Sequence, residues 1–70
     1  MKMHHVQSST IRSVGYDKDR SQLHVHFKSG GEYVYHDVPE HVYLGLLQAP
    51  SVGKAFVSDV KGQFQHTKMG

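Results

Sequence analysis

The clearest pattern along the chain is an alternation: Leu23, Val25 and Phe27 take every second position, with His24, His26 and Lys28 between them. A period of two sends the first set to one face of a β-strand and the second to the other, so the segment reads as a half-buried strand. Upstream, Ile11-Arg12-Ser13-Val14-Gly15-Tyr16 carries β-branched and aromatic residues and stops at the polar run Asp17-Lys18-Asp19-Arg20-Ser21. It reads as a first strand closed by a turn. Its alternation is broken, since Val14 and Tyr16 share one face while Ile11 falls on the other; a bulge at Gly15 would reconcile them. Downstream, Gly30-Gly31 supplies the positive φ angles of a hairpin turn, and Glu32-Tyr33-Val34-Tyr35-His36 is the return strand.

After Asp37-Val38-Pro39 the period lengthens. Val42, Leu46 and Ala49, with Tyr43 and Leu47, recur at helical spacing and form one apolar stripe. Asp37 and Glu40 have the spacing of a capping box, Pro39 suits a first helical turn, and Ala49-Pro50 ends the helix. Ser51 is a good N-cap for a second helix, with Val52, Ala55, Phe56 and Val60 on one side, Lys54, Ser58 and Lys61 on the other, and Gly62 as its stop. Residues 1–9 and 65–70 have little to bury and read as flexible tails around a domain of residues 10–64. The expected fold is α+β: a three-stranded antiparallel β-sheet followed by two short α-helices packed on one face.

Composition narrows the function. Seventy residues make one domain, and a domain of that size buries only roughly 60% of its unfolded surface, which leaves no core to spare for a deep, dry substrate cavity. The chain has no cysteine, which excludes disulfides, iron–sulfur clusters and thiolate zinc sites and favours the cytoplasm. The first ten residues lack the apolar segment of a signal peptide or membrane span. The net charge is +2 with seven histidines, and the sequence pI is near 9.1.

The residues also spell a longer pattern. Ser8-Ser9-x-Ile11-x-x-Val14-Gly15-Tyr16-Asp17, Leu23-x-Val25-x-Phe27, Gly30, Tyr33-x-Tyr35-x-Asp37-Val38-Pro39, Leu47, Ala49 and Ser51-x-Gly53 resemble the KTSC domain over roughly residues 8 to 64. That family is named for its occurrence at the C-terminus of some lysyl-tRNA synthetases and also occurs as a stand-alone bacterial or phage protein. The resemblance implies an RNA-related role through that attachment. The chain departs from the family pattern at Val57, where a polar residue is expected, and at His66, where an aromatic is expected.

The hairpin register decides which residues share a face, because a slip of one residue inverts a strand. With Ser29-Gly30-Gly31 as a three-residue loop, Lys28 faces Glu32, Phe27 faces Tyr33, Val25 faces Tyr35 and His24 faces His36, and the tyrosines join the core; the Lys28–Glu32 pairing favours this reading. With Gly30-Gly31 as a two-residue turn, Tyr33 and Tyr35 instead share the outer face with His24, His26 and Lys28. That would be a basic-aromatic platform of the kind that stacks bases and neutralises phosphates. Lys54 and Lys61, seven apart on one side of the second helix, add a phosphate-contacting stripe. The bland alternatives are core tyrosines and a solvated helix face.

Catalytic and metal signatures are thin. No serine stands in a nucleophile elbow, no Walker loop is present, and Asp17, Asp19 and Asp37 fall in turns where aspartate bonds local backbone. His24, His26 and His36 could approach one another, but fall short of a four-ligand structural zinc site, and no cofactor is expected. The expectation is a non-enzymatic binding module that engages RNA or another nucleic acid through Tyr33, Tyr35, Lys28, His24, His26, Lys54 and Lys61, with no metal and no membrane. The alternative is a module that docks a protein partner through a sheet edge or its tyrosines.

Overall fold

The computed structural model describes residues 1–70. Its elements run β1 (Met3–His5), β2 (Ile11–Asp17), β3 (Gln22–Phe27), β4 (Glu32–Tyr35), α1 (Glu40–Gln48), α2 (Val52–Asp59) and β5 (His66–Lys68). The strands form one sheet in the order β1-β2-β3-β4-β5, every neighbouring pair antiparallel. The α+β class therefore holds, but the sheet has five strands rather than three. The two additional strands come from the segments read as flexible tails. Main-chain bonds hold them: the amide of Met69 donates to Glu32 (2.7 Å), that of His36 to Gln65 (2.9 Å) and that of Val6 to Arg12 (3.2 Å). All three residues of β5 are exposed, so backbone pairing forms the strand with no apolar alternation to announce it.

The bulge in β2 lies at Arg12, not Gly15: Ile11 pairs with Phe27 and Ser13 with His26, leaving one extra residue between them. That insertion turns Ile11 to the same face as Val14 and Tyr16, which pair with Val25 and Leu23. The β3–β4 hairpin adopts neither expected register. Phe27 N–H donates to Gly31 (2.8 Å) and Gly30 N–H to Phe27 (3.0 Å), so the loop is Lys28-Ser29-Gly30. Gly30 has φ +105°, the left-handed third position of a three-residue hairpin loop, where glycine is the natural occupant. Tyr33 consequently faces Val25, Tyr35 faces Leu23, His24 faces Val34 and His26 faces Glu32. The shift relative to the three-residue loop through Gly31 is two positions, which preserves facing. The tyrosines lie on the core side, while the Lys28–Glu32 and His24–His36 pairings do not form.

Both helices cover that side of the sheet. Ile11, Val14, Leu23 and Val25 pack beneath Val38, Leu46, Val52, Phe56 and Val60. Each fully buried aliphatic side chain contributes about 1.5–3 kcal/mol relative to exposure. α1 turns Tyr43 and Leu46 inward, whereas Leu47 stays on the surface, so its stripe is narrower than the spacing predicts. No capping box forms at α1: Asp37 sits outside the helix at φ +55°, and the cap position is Pro39, without a side-chain bond. α2 begins as expected, Ser51 Oγ accepting the Lys54 amide at 3.3 Å, a cap worth about 1 kcal/mol. No helix is long and apolar enough to cross a membrane.

Candidate functional site

The family-like residues at the N-terminus of β2 and the start of α2 fix where α2 lies. Ser8 Oγ accepts the amides of Thr10 and Ile11, both at 3.2 Å, folding the approach to β2 into a hydroxyl-stabilised turn. The first turn of α2 packs directly on it: a Cβ at Gly53 would stand 3.3 Å from Ser8 Oγ and 3.4 Å from Thr10 Oγ1. At the other end of the sheet, Val38 is sealed between strand and helix layers, its amide donating to Ser21 (2.9 Å) and its carbonyl accepting the Tyr16 hydroxyl. Asp37-Val38-Pro39 is thus a structural corner.

With α2 so placed, a groove runs along its outer flank as three adjoining depressions of about 600, 420 and 360 Å³. The first lies between Ser8-Ser9-Thr10 and Ser51-Lys54. The second spans Lys28, Gly53, Phe56 and Lys61, and the third ends at Tyr33, Tyr35 and His66. Neighbouring depressions share walls: Thr10, Gly53 and Val57 belong to the first and second, Phe27, Phe56 and Lys61 to the second and third. Three lysines, Lys28, Lys54 and Lys61, line the groove, and no carboxylate does.

Of the residues singled out in the sequence, Lys28, Lys54, Lys61, Tyr33 and Tyr35 come together here. His24 and His26 do not; their neighbours across the sheet are Val34, Gly15, Glu32 and Ser13, on the face away from the helices. The single platform of tyrosines, histidines and Lys28 is therefore not formed, because the hairpin parity separates Tyr33 and Tyr35 from His24 and His26. Phe27, Phe56 and His66 were missed as site residues. The alternation marks Phe27 and the helical stripe marks Phe56 as inward, but their convergence depends on the path of the chain after α2.

That path closes an aromatic circuit. Beyond Val60 the chain turns at Gly62 and returns to pair with β4, setting His66 opposite Tyr35 and Lys68 opposite Tyr33. The rings of Phe27, Tyr33, His66, Tyr35 and Phe56 then follow one another at centroid separations of 5.5, 5.4, 5.2 and 5.4 Å, and Phe56 returns to Phe27 at 5.5 Å. Edge-to-face contacts join Phe27 to Tyr33 and to Phe56, and Tyr35 to Phe56, and tilted contacts bring in His66. Phe56 and Tyr35 are buried, Tyr33 and Phe27 half-buried, and His66 is exposed. Burial pushes the Tyr35 hydroxyl above its ordinary pKa, and the nearby Tyr33 adds to the effect. It therefore stays a neutral donor and acceptor at neutral pH.

The architecture is that of a small α+β domain with an open sheet face, a helical face and a lysine-lined groove ending in aromatic side chains. The chain belongs to the KTSC domain family, whose model matches residues 7–64. It is similar to the KTSC domain protein of Yersinia pestis, whose crystal structure superposes with a TM-score of 0.95 at 38% identity over 99% of this chain and 97% of that one. An uncharacterized protein of Stutzerimonas stutzeri is 44% identical over 63 residues, 90% of this chain and 89% of the relative. A lysine–tRNA ligase of Nostoc punctiforme is 33% identical over 63 residues, which is 90% of this chain but 11% of that enzyme.

Proposed function

We propose that the protein is a non-enzymatic, cytoplasmic nucleic-acid-binding module that holds RNA along the groove flanking α2. The observation that carries this reading is the charge of the groove: Lys28, Lys54 and Lys61 line its three depressions and no carboxylate does. The acidic residues Asp17, Asp19, Asp37 and Glu40 belong instead to the turns at the opposite end of β2 and β4 and the start of α1. A net charge of only +2 thereby yields a local surface of one sign, which is what a polyphosphate backbone senses within a Debye length. The similar segment in lysine–tRNA ligases, enzymes that handle RNA, supports the choice of RNA, as an association and not as a mechanism.

Fluorescence anisotropy of a labelled single-stranded RNA over a salt series tests the reading. Binding should weaken with salt, and the double variant Lys54→Gln/Lys61→Gln should lower the log–log slope by about 2, one per lost phosphate contact. No binding at about 100 µM protein in low salt, where counterion release is most favourable, overturns it. A second reading, docking of a protein strand, draws on the open edges that β1 and β5 leave in the sheet.

A further inference from the structure

The aromatic end of the groove has features that phosphate neutralisation alone does not need. We propose, resting on the nucleic-acid reading above, that the cleft ringed by Phe27, Tyr33, His66, Tyr35 and Phe56 receives one unstacked nucleobase of an RNA single strand, whose flanking phosphates lie along Lys61 and Lys28. The cleft, at about 360 Å³, falls in the size range of small-ligand pockets. Phe56 and Tyr35 are buried and hold its floor, while half-buried Tyr33 and exposed His66 form a rim that a planar ring can contact. The rim is accessible because β5, which carries His66, is an edge strand joined to the sheet by backbone bonds and by one side-chain pair, His36 Nε2 with Thr67 Oγ1 at 2.8 Å.

Two further observations select the ligand. The hydroxyls of Tyr33 and Tyr35 make no hydrogen bond within the protein, and no buried side-chain oxygen is left unpartnered, so both remain open to polar atoms from outside. The charged group at the cleft mouth is Lys61, with no carboxylate among the lining residues. A cationic guest, the usual tenant of an aromatic cage, would meet a like charge there. A planar heteroaromatic ring attached to a phosphate finds aromatic faces, free hydroxyls and an ammonium group together, the combination by which single-stranded nucleic acid is held.

Three octamers separate this inference from the reading it rests on: single-stranded oligoadenylate, an abasic ribose-phosphate octamer, and an RNA duplex of the same length. The wild-type protein should bind the single strand at least about 10-fold more tightly than the other two, and Tyr33→Ala should weaken only the single strand, by about 5- to 150-fold, the loss of one stacked base. Lys61→Gln should weaken all three. Amide shifts in the wild-type protein supply a readout that does not depend on a variant folding: Tyr33, Tyr35, Lys61 and His66 should move with the single strand and not with the abasic octamer. Equal affinity for single-stranded and abasic octamers, absent cleft shifts, or saturable binding of tetramethylammonium in the cleft overturns the base pocket and leaves groove binding intact. Failure of all three octamers to bind overturns both.

Discussion

Two aromatic clusters lie on the helix-covered side of the sheet, one closed and one open. In the closed cluster, Tyr16 and Tyr43 stack with centroids 5.4 Å apart and planes 15° from parallel, and the Tyr16 hydroxyl donates to the Val38 carbonyl. In the open one, Phe27, Tyr33, Tyr35, Phe56 and His66 form a circuit around a cleft, and the tyrosine hydroxyls have no protein acceptor. The strands present the same residue types in both places. What differs is the cover: α1 and the corner at Val38 fit over Tyr16, whereas α2 stops at Asp59 and its chain turns aside to become β5. Aromatic side chains on a strand thus become core or surface according to where the covering helix ends.

The largest effect separating the clusters should come from the ring that belongs to both core and cleft. Phe56 is nearly sealed and contacts Phe27 and Tyr35 edge to face. Phe56→Ala should lose about 3–5 kcal/mol of stability in a urea or thermal melt, through lost transfer energy and the cavity left behind. Tyr33→Ala, removing a half-buried rim ring, should cost clearly less. Equal losses would mean that the open cluster is core after all, and the contrast between the two ends would collapse.

How much of this could be read from the sequence follows from what leaves a trace in side-chain pattern. The alternation of Leu23, Val25 and Phe27 and the stripe of Val52, Phe56 and Val60 are burial signals, and the structure buries Leu23, Val25, Val52, Phe56 and Val60. Elements held by backbone bonds leave no such signal, which is why β1 and β5 resembled tails. The hairpin register was undetermined between adjacent glycines, since either can take a positive φ; Gly30 does and Gly31 does not. The bulge at Arg12 was equally silent, because an arginine pointing to solvent is compatible with either register. For the site, the lysines were legible as charges, but the aromatic cleft was not. It requires β5 to return beside β4, and His66 was recognised only as a departure from the family pattern.

A smaller effect probes the hydroxyls. Tyr16→Phe removes the bond to Val38, in a partly buried setting, and should cost about 0.5–1.5 kcal/mol. Tyr33→Phe removes a hydroxyl without a protein partner and should leave stability within about 0.5 kcal/mol of wild type. Denaturant midpoints for the pair, with unchanged slopes, decide it. A loss at Tyr33 as large as that at Tyr16 would show that its hydroxyl has a partner in solution and is not available to a ligand.

The smallest expected effect appears only in alkali, and it sharpens the comparison because it places one tyrosine from each cluster side by side. Burial raises the pKa of Tyr43 in the closed cluster and of Tyr35 in the open one, the latter further raised by Tyr33. A raised tyrosine pKa means that the unfolded chain releases its proton first, near its ordinary value of about 10. The folded form binds more protons above that point, so stability is full below it and falls as pH rises toward and through the folded value. Tyr35→Phe and Tyr43→Phe should each flatten the decline of stability between about pH 9 and 11 relative to wild type. The flattening should survive added oligoadenylate at Tyr43, which the cleft does not include. At Tyr35 bound base should steepen the wild-type decline, because a guest that further dehydrates the hydroxyl raises its pKa again and an ionised one would repel the neighbouring phosphates. A Tyr35 response indifferent to oligoadenylate, measured in melts from pH 8 upward, would separate the ligand from the floor of the cleft.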